Sequence, residues 1–260
     1  MRVLSPRSDW NAFLEIIPKA RERVLMLDYD GTLAPFQVRP ERVVPYPGIV
    51  TALDGVMRDA GTRVVIVSGR PVSELAGMLP LKKQPEIWGE HGWERLLPDG
   101  VLTVRKPAGD VQYILRRASD ITPELAANGG RIERKPASVA LHWRGLPVLA
   151  VAKIRSRALS AWLPLADGND FELLAFDGGI ELRARSCNKR HVVDAILAET
   201  AEDCAVAYLG DDLSDEDAFA AIKSRGIAVL VRPQYRDTLA DVWIRPPREL
   251  IEFIGRWKAS

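Results

Sequence analysis

The chain predicts an α/β protein: a core with a parallel sheet and helices on both faces, carrying an inserted α/β segment. Two observations predict the core. Apolar runs of strand length at residues 24–27, 64–67 and 204–209 each end abruptly in small, charged or glycine positions, as strands buried on both faces do. Segments with apolar residues at helical spacing alternate with them, and such alternation favours parallel strands with helical crossovers. A third observation predicts the insert: from about residue 106 to 183 the pattern changes to helix, two strands, helix, two strands.

Each element follows in order. Residues 10–20 form an amphipathic helix, 24–27 a strand, 48–60 a helix and 64–67 a strand. Residues 71–79 read as a helix with Pro71 in its first turn, where a missing N–H costs nothing. Ile87 and Trp88 make a short strand leading into Gly89-Glu90-His91-Gly92. The insert contributes long amphipathic segments at 109–125 and 147–163, with Gly129-Gly130 and Gly178-Gly179 as turns. The core resumes with a helix at about 188–200, a strand at 204–209, a helix at 215–224, a strand at 227–231 and a last helix at 247–258. The expected division is therefore a core of residues 1–106 and 185–260 and an insert of 107–184.

Composition narrows the partners. With 36 Lys and Arg against 35 Asp and Glu in 260 residues, the net charge of +1 gives no reason to expect nucleic acid or an anionic membrane surface. A small molecule is the expected partner. Charged residues interrupt every apolar stretch of residues 1–23, so no secretory signal is expected, and no run approaches a membrane span. Cys187 and Cys204 lack a paired-motif spacing and read as free thiols of a reducing compartment, which makes a cytoplasmic location the expectation. The seven tryptophans read as core residues, although Trp93 and Trp143 sit near segments of interest.

The chemistry-bearing residues cluster where the strands end. Asp28 and Asp30 follow the first long strand at i, i+2, and Gly31 breaks it, so both carboxylates reach the sheet's carboxyl edge, where open α/β sheets bind ligands. That arrangement suits a phosphate-accepting nucleophile; the alternative is an Asp-x-Asp-Gly turn closing a hairpin. Ser68-Gly69-Arg70 supplies a hydroxyl, a turn and a cation, or is simply a strand-ending turn. Gly210-Asp211-Asp212-Leu213-Ser214-Asp215 ends the third strand, and can also be a helix start with Ser214 or Asp215 as N-cap. Lys189 alone would be a solvated lysine, but a phosphate site needs a cation.

Strand alternation in the insert sorts its residues. Val139, Leu141 and Trp143 share one face, and Ala140, His142 and Arg144 the other. Glu133 with Lys135, and Glu181 with Arg183, add polar groups of shared parity. Such a face suits a polyhydroxylated leaving group such as a sugar, or else is a solvent-facing surface laced with cross-strand ion pairs.

The aspartate pair, the serine, the lysine and the acidic stretch, in this order, resemble the haloacid dehalogenase (HAD) superfamily of aspartate-dependent phosphohydrolases. The wider set resembles the trehalose-6-phosphate phosphatases across almost the whole chain: Asp28-Tyr29-Asp30-Gly31-Thr32-Leu33-Ala34-Pro35, Ser68-Gly69-Arg70, Gly89-Glu90-His91-Gly92, Leu141-His142-Trp143-Arg144, Glu181-Leu182-Arg183, Asn188-Lys189 and the acidic stretch from Gly210 to Phe219. The resemblance implies a HAD-like core with an α/β cap that closes over the site, which places hinges near 106–109 and 183–187. It implies Asp28 as nucleophile, Asp30 as acid and base, and Ser68 and Lys189 as phosphoryl-binding groups. Mg2+ is the implied cofactor, held by Asp28, the Asp30 carbonyl and Asp211, with Asp215 behind them. Arg70 and His91 become candidates near the phosphate, and Glu133, Lys135, Arg144, Glu181 and Asn188 candidate sugar contacts. A trehalose-6-phosphate synthase is an implied functional partner. The chain departs from the family pattern at Ala184-Arg185-Ser186, where a Pro-x-Gly stretch is usual, and at Arg190, where glycine is usual. Two other functions compete with trehalose 6-phosphate hydrolysis: a phosphatase for another sugar or glycosyl-polyol phosphate, such as sucrose 6-phosphate or glucosylglycerol phosphate, and a noncatalytic phospho-acceptor module.

Overall fold

A computed structural model describes residues 1–4, 10–37, 43–58, 61–105, 109–167, 170–176, 178–186 and 188–258. The chain forms two compact units, Met1–Val104 with Asn188–Ser260, and Arg105–Cys187. The first passage through the larger unit comprises β1 (Arg2–Val3), α1 (Trp10–Ile16), β2 (Arg23–Asp28), α2 (Ile49–Arg58), β3 (Thr62–Val67), α3 (Val72–Met78), β4 (Glu86–Gly89), β5 (Glu94–Leu96) and β6 (Leu102–Val104). The smaller unit holds α4 (Gly109–Ser119), α5 (Thr122–Ala127), β7 (Arg131–Lys135), β8 (Ser138–His142), α6 (Val148–Ala166), β9 (Phe171–Phe176) and β10 (Gly179–Ala184). The return adds α7 (Lys189–Ala198), β11 (Ala205–Gly210), α8 (Glu216–Ile222), β12 (Ile227–Val231), β13 (Val242–Ile244) and α9 (Arg248–Gly255).

The larger unit is built on a nine-stranded sheet in the order β1-β13-β12-β11-β2-β3-β4-β5-β6. Its central strands β13 to β4 run parallel, with antiparallel strands at both edges. Period-two alternation assigns the two faces. Leu25, Leu27, Ile66 and Leu209 pack on one side with Leu53, Leu250, Phe253 and Trp257. Met26, Val65, Val67, Val206 and Tyr208 pack on the other with Val193, Ile196, Phe219 and Ile222. Every residue of β2 and β11 is buried, which is why both read as uninterrupted apolar runs. From β2 the chain steps outward to β3 and β4, and the return lays β11 against β2's other edge. The carboxyl ends of β2 and β11 therefore flank the point where the strand order reverses, the place where such sheets open a crevice for ligands.

The smaller unit has a four-stranded antiparallel sheet, order β7-β8-β10-β9. Glu133 and Glu181 both pair with Ala140, and Lys135 and Arg183 both pair with Ser138, so these side chains share a face. Val139, Leu141 and Leu182 have the opposite parity and are buried, as are Leu115, Ile154 and Trp162 of the helices. The Trp162 ring N–H donates to the Ala118 carbonyl at 3.0 Å and ties α6 to α4.

Four local expectations change. The segment 109–125 is two helices, because Pro123 starts a new one and cannot continue the old. Pro71 is the N-cap of α3 with extended backbone, one position earlier than the first turn. Asp215, one of the two residues expected there, does hold the N-cap position of α8, but its side chain makes no cap bond to that helix; Asp212 caps the preceding 3-10 turn Leu213–Asp215 and forms a capping box with Asp215. β8 ends at His142, so Arg144 lies in the exposed turn beyond the strand and does not extend its polar face. Cys204 is a buried free thiol; Cys187 and residues 106–108, where a thiol and a hinge were expected, lie outside the described residues. Among the described residues no helix is long and apolar enough to cross a membrane.

Candidate active site

Asp28 is the last residue of β2, and the chain then turns sharply: the Leu33 and Ala34 N–H groups both donate to the Tyr29 carbonyl at 3.0 Å. This turn closes no hairpin, since both neighbours of β2 are parallel to it. Gly31 has φ +90, and a Cβ there would lie 2.1 Å from Asp211 Oδ2. Only glycine lets the two acidic loops approach this closely.

Lys189 joins the elements electrostatically. Asn188 caps α7 by accepting from the His191 N–H at 3.0 Å, which fixes Lys189 at the first turn. The buried ammonium donates to Asp28 Oδ1 at 2.6 Å and to Asp215 Oδ1 at 2.7 Å. Asp215 is saturated: its Oδ1 also accepts from the Tyr208 hydroxyl at 2.7 Å, and its Oδ2 accepts from the Asp211 and Asp212 N–H groups at 3.0 Å. It holds its neighbours in place with no oxygen left over. Asp211 is the converse, buried with Oδ1 lacking any hydrogen-bond partner. One carboxylate oxygen from each of Asp28, Asp211 and Asp215 lies within 4.8 Å of the others.

That crowding perturbs every charge. Burial pushes the Asp28 carboxyl up to about 7; Lys189 opposes the shift, while Asp215 and Asp30 add to it. Asp211 is pushed well above the carboxylate range, first by burial and then by Asp28, Asp215 and Asp212. Although burial works against its charge, Asp215 and Asp28 raise Lys189 above the ordinary lysine value. One ammonium does not balance these carboxylates. A hard, oxygen-seeking cation fits the unpartnered Asp211 oxygen and would remove the imbalance.

Ser68 and Arg70 stand at the end of β3. The buried Ser68 Oγ accepts from the Arg70 N–H at 3.1 Å, so its own hydrogen remains to be donated. Arg70 grips Asp30 with two bonds, Nε to Oδ2 at 2.6 Å and Nη2 to Oδ1 at 2.7 Å. Glu90 and His91 follow β4 with φ of 49 and 54, a left-handed conformation rare outside glycine. Their N–H groups donate to the Arg70 and Ser68 carbonyls at 2.9 Å, and a Cβ on Gly69 would lie 2.7 Å from the His91 ring. Ser68, Arg70 and His91 are thus one packed group. A cavity of about 390 Å³ lined by Thr62, Arg63 and Glu86 opens at the amino ends of β3 and β4, the edge opposite Asp28.

In the smaller unit, Glu133, Lys135 and Glu181 come together on the sheet. Lys135 Nζ lies 3.7 Å from Glu133 Oε1 and 4.0 Å from Glu181 Oε1, and the Ser138 hydroxyl donates to Glu181. His142 Nε2 meets Glu133 Oε2 at 2.8 Å and, with help from Lys135 and Arg131, holds the Glu133 carboxyl down to about 2. Arg144 lies in the turn two residues past the end of β8, and the Asn188 side-chain oxygen accepts the α7 cap bond. Two kinds of residue escaped the sequence reading. Tyr208 looks like any strand residue, and Arg232 and Arg236, which donate to backbone carbonyls of Asp211 and Asp212, belong to no motif.

Comparisons with known proteins show what the chain is similar to. The family model described as Trehalose-phosphatase matches residues 26–240. A trehalose-phosphate phosphatase of Mycobacterium ulcerans is 31% identical over 247 residues, covering 89% of this chain and 60% of that relative. This chain thus spans 60% of the relative's length. Among solved structures, the C-terminal domain of C. albicans trehalose-6-phosphate phosphatase superposes with a TM-score of 0.82 at 22% identity, covering 98% of each chain. The Aspergillus fumigatus trehalose-6-phosphate phosphatase does so with 0.70 at 25% identity, again covering 98% of each. With a HAD-like fold and a family match that spans both acidic loops, the chain belongs to the trehalose-phosphatase family.

Proposed function

We propose that this chain is a magnesium-dependent phosphatase that hydrolyses trehalose 6-phosphate to trehalose and inorganic phosphate through an aspartyl phosphate on Asp28. The observation that carries the reading is the buried Lys189 bridge between Asp28 and Asp215, beside the unpartnered Asp211 oxygen. The sugar comes from the substrate named for the relatives.

Lys189 holds Asp28 Oδ1, which leaves the other carboxylate oxygen to attack phosphorus. As that bond forms, the bond from phosphorus to the sugar oxygen breaks, and protonated Asp30 gives the leaving oxygen its proton. Asp30 then takes a proton from water, whose oxygen attacks phosphorus and releases phosphate from Asp28. The Ser68 hydroxyl donates to a phosphoryl oxygen, and Lys189 offsets the repulsion between carboxylate and phosphate. Arg70 grips both oxygens of Asp30 as a carboxylate, so Asp30 must leave that grip and take up a proton from solvent before it can act as the acid; phosphoryl oxygens competing for the guanidinium would release it. Asp28, Asp211 and the Asp30 carbonyl would hold a magnesium ion, which supplies further positive charge to the phosphoryl oxygens. Asp215 keeps that set in register.

The smaller unit serves in this reading as the specificity cap, with Glu133, Lys135 and Glu181 as contacts for sugar hydroxyls. The test is phosphate release, with magnesium and with chelator, from trehalose 6-phosphate, sucrose 6-phosphate, glucose 6-phosphate and glucosylglycerol phosphate. A magnesium-dependent preference for trehalose 6-phosphate supports the whole proposal. Equal rates across the panel keep the aspartate chemistry and remove the trehalose assignment. No release, with a stable phosphoryl group on Asp28, returns the phospho-acceptor reading.

A further inference from the structure

Most of the acidic site is explained by direct contacts among its carboxylates and Lys189, but the backbone of the Asp211–Asp212 loop is held from elsewhere. Arg236 donates from Nε to the Asp211 carbonyl at 3.1 Å and from Nη2 to the Asp212 carbonyl at 2.8 Å. Arg232 donates from Nη1 to the same Asp211 carbonyl at 3.2 Å. Both arginines come from the connection between β12 and β13. Arg236 is fixed on its far side as well: its Nη1 meets Glu216, whose carboxylate also accepts from the Thr238 hydroxyl at 2.8 Å and the Leu239 N–H at 2.7 Å. A planar guanidinium can span two successive carbonyls in a fixed fork, which a lysine cannot do.

We infer that Arg236, with Arg232, is a positioning residue that pre-sets Asp211 for a divalent cation, and the inference rests on the magnesium reading above. Two features separate it from a mere tie between α8 and the following connection. The fork closes on the carbonyls of Asp211 and Asp212 themselves, and Asp211 is the one carboxylate of the cluster with a buried oxygen and no partner. Groups that orient metal ligands from behind typically change metal affinity by about 10–100-fold when removed.

The experiment titrates magnesium into substrate-free protein by calorimetry and measures KM at saturating magnesium and the melting temperature in chelator. Arg236→Gln should weaken magnesium about tenfold and leave KM near its original value. Arg236→Lys, which restores charge without the fork, should not rescue the loss, and Arg232→Gln should weaken magnesium by a smaller factor. Thr238→Val removes one tie of Glu216 without touching either carbonyl; it should lower the melting temperature and leave magnesium affinity unchanged. The inference is overturned if Arg236→Gln binds magnesium like the original protein, or if Thr238→Val weakens magnesium equally. Should Arg236→Gln fail to fold, unchanged affinity in Arg232→Gln overturns it instead. An original protein that binds no magnesium removes the metal reading and this inference together, whereas binding without sugar phosphate hydrolysis removes only the proposed reaction.

Discussion

At the scale of single residues, Lys189 is the test of the electrostatic account. Its ammonium is buried against Asp28 and Asp215, so a neutral replacement leaves two carboxylates in the interior with their partner gone. Lys189→Met should abolish turnover and cost about 3–5 kcal/mol of stability, read from denaturant unfolding in chelator. A loss under about 1 kcal/mol would mean that water reaches these groups and the pair is effectively exposed. Gly31→Ala is the complementary change, because the added methyl meets Asp211 Oδ2 at a position where φ is already +90. It should lose magnesium binding and activity, while unchanged affinity would show that the two loops do not approach as described. Asp28, Ser68 and Asp211 could be picked out from the sequence because each stands where a clearly patterned strand ends, and Lys189 only because a phosphate site at those ends needs a cation. Tyr208 and Arg236 could not. Their importance depends on which acceptor they reach after folding, and neither apolar periodicity nor spacing encodes that.

Elements divide along the same line. The buried parallel strands β2, β3, β11 and β12 were legible as continuous apolar runs, whereas β5, β6 and β13 are short, half-exposed or interrupted by polar residues and carry no such signal. The break between α4 and α5 was missed because apolar spacing continues across it and only Pro123 marks the stop. Asn188 shows how an element's end decides a residue's role. As the cap of α7 it holds Lys189, so Asn188→Ala should cost about 1 kcal/mol and lower kcat more than it raises KM. A rise in KM alone would instead mark Asn188 as a sugar contact. In the insert's sheet, the His142 bond holds Glu133 at about 2, below its usual 4.5. A depressed carboxyl contributes stability that is complete above pH 4.5 and disappears as pH falls toward 2. The stability gap between the original protein and Glu133→Gln should therefore narrow between pH 6 and pH 3. A gap that does not change with pH would mean that the His142 contact carries no charge-dependent energy.

Over the whole molecule, the sheet's strand order places two acidic loops side by side at its reversal point, and the surplus of negative charge there is local, since the chain as a whole carries only +1. A cation bound at that point stabilises whichever structure must unfold to release it, and nothing else. At a free concentration one hundred times its dissociation constant, magnesium adds about 2.7 kcal/mol to that structure. The two units have separate sheets. Amides of β2 and β11 that exchange only by unfolding of the larger unit should then slow by about a hundredfold on adding magnesium, while those of β8 and β10 keep their rates. Asp211→Asn should remove the slowing without altering exchange in β8 and β10. If magnesium slows both sheets equally, the units open as one cooperative body, and binding energy gained at Asp211 is shared with the sheet that carries Glu133 and Glu181. The Arg236 fork would then stabilise that sheet too, and Arg236→Gln would speed its exchange in the metal-bound protein.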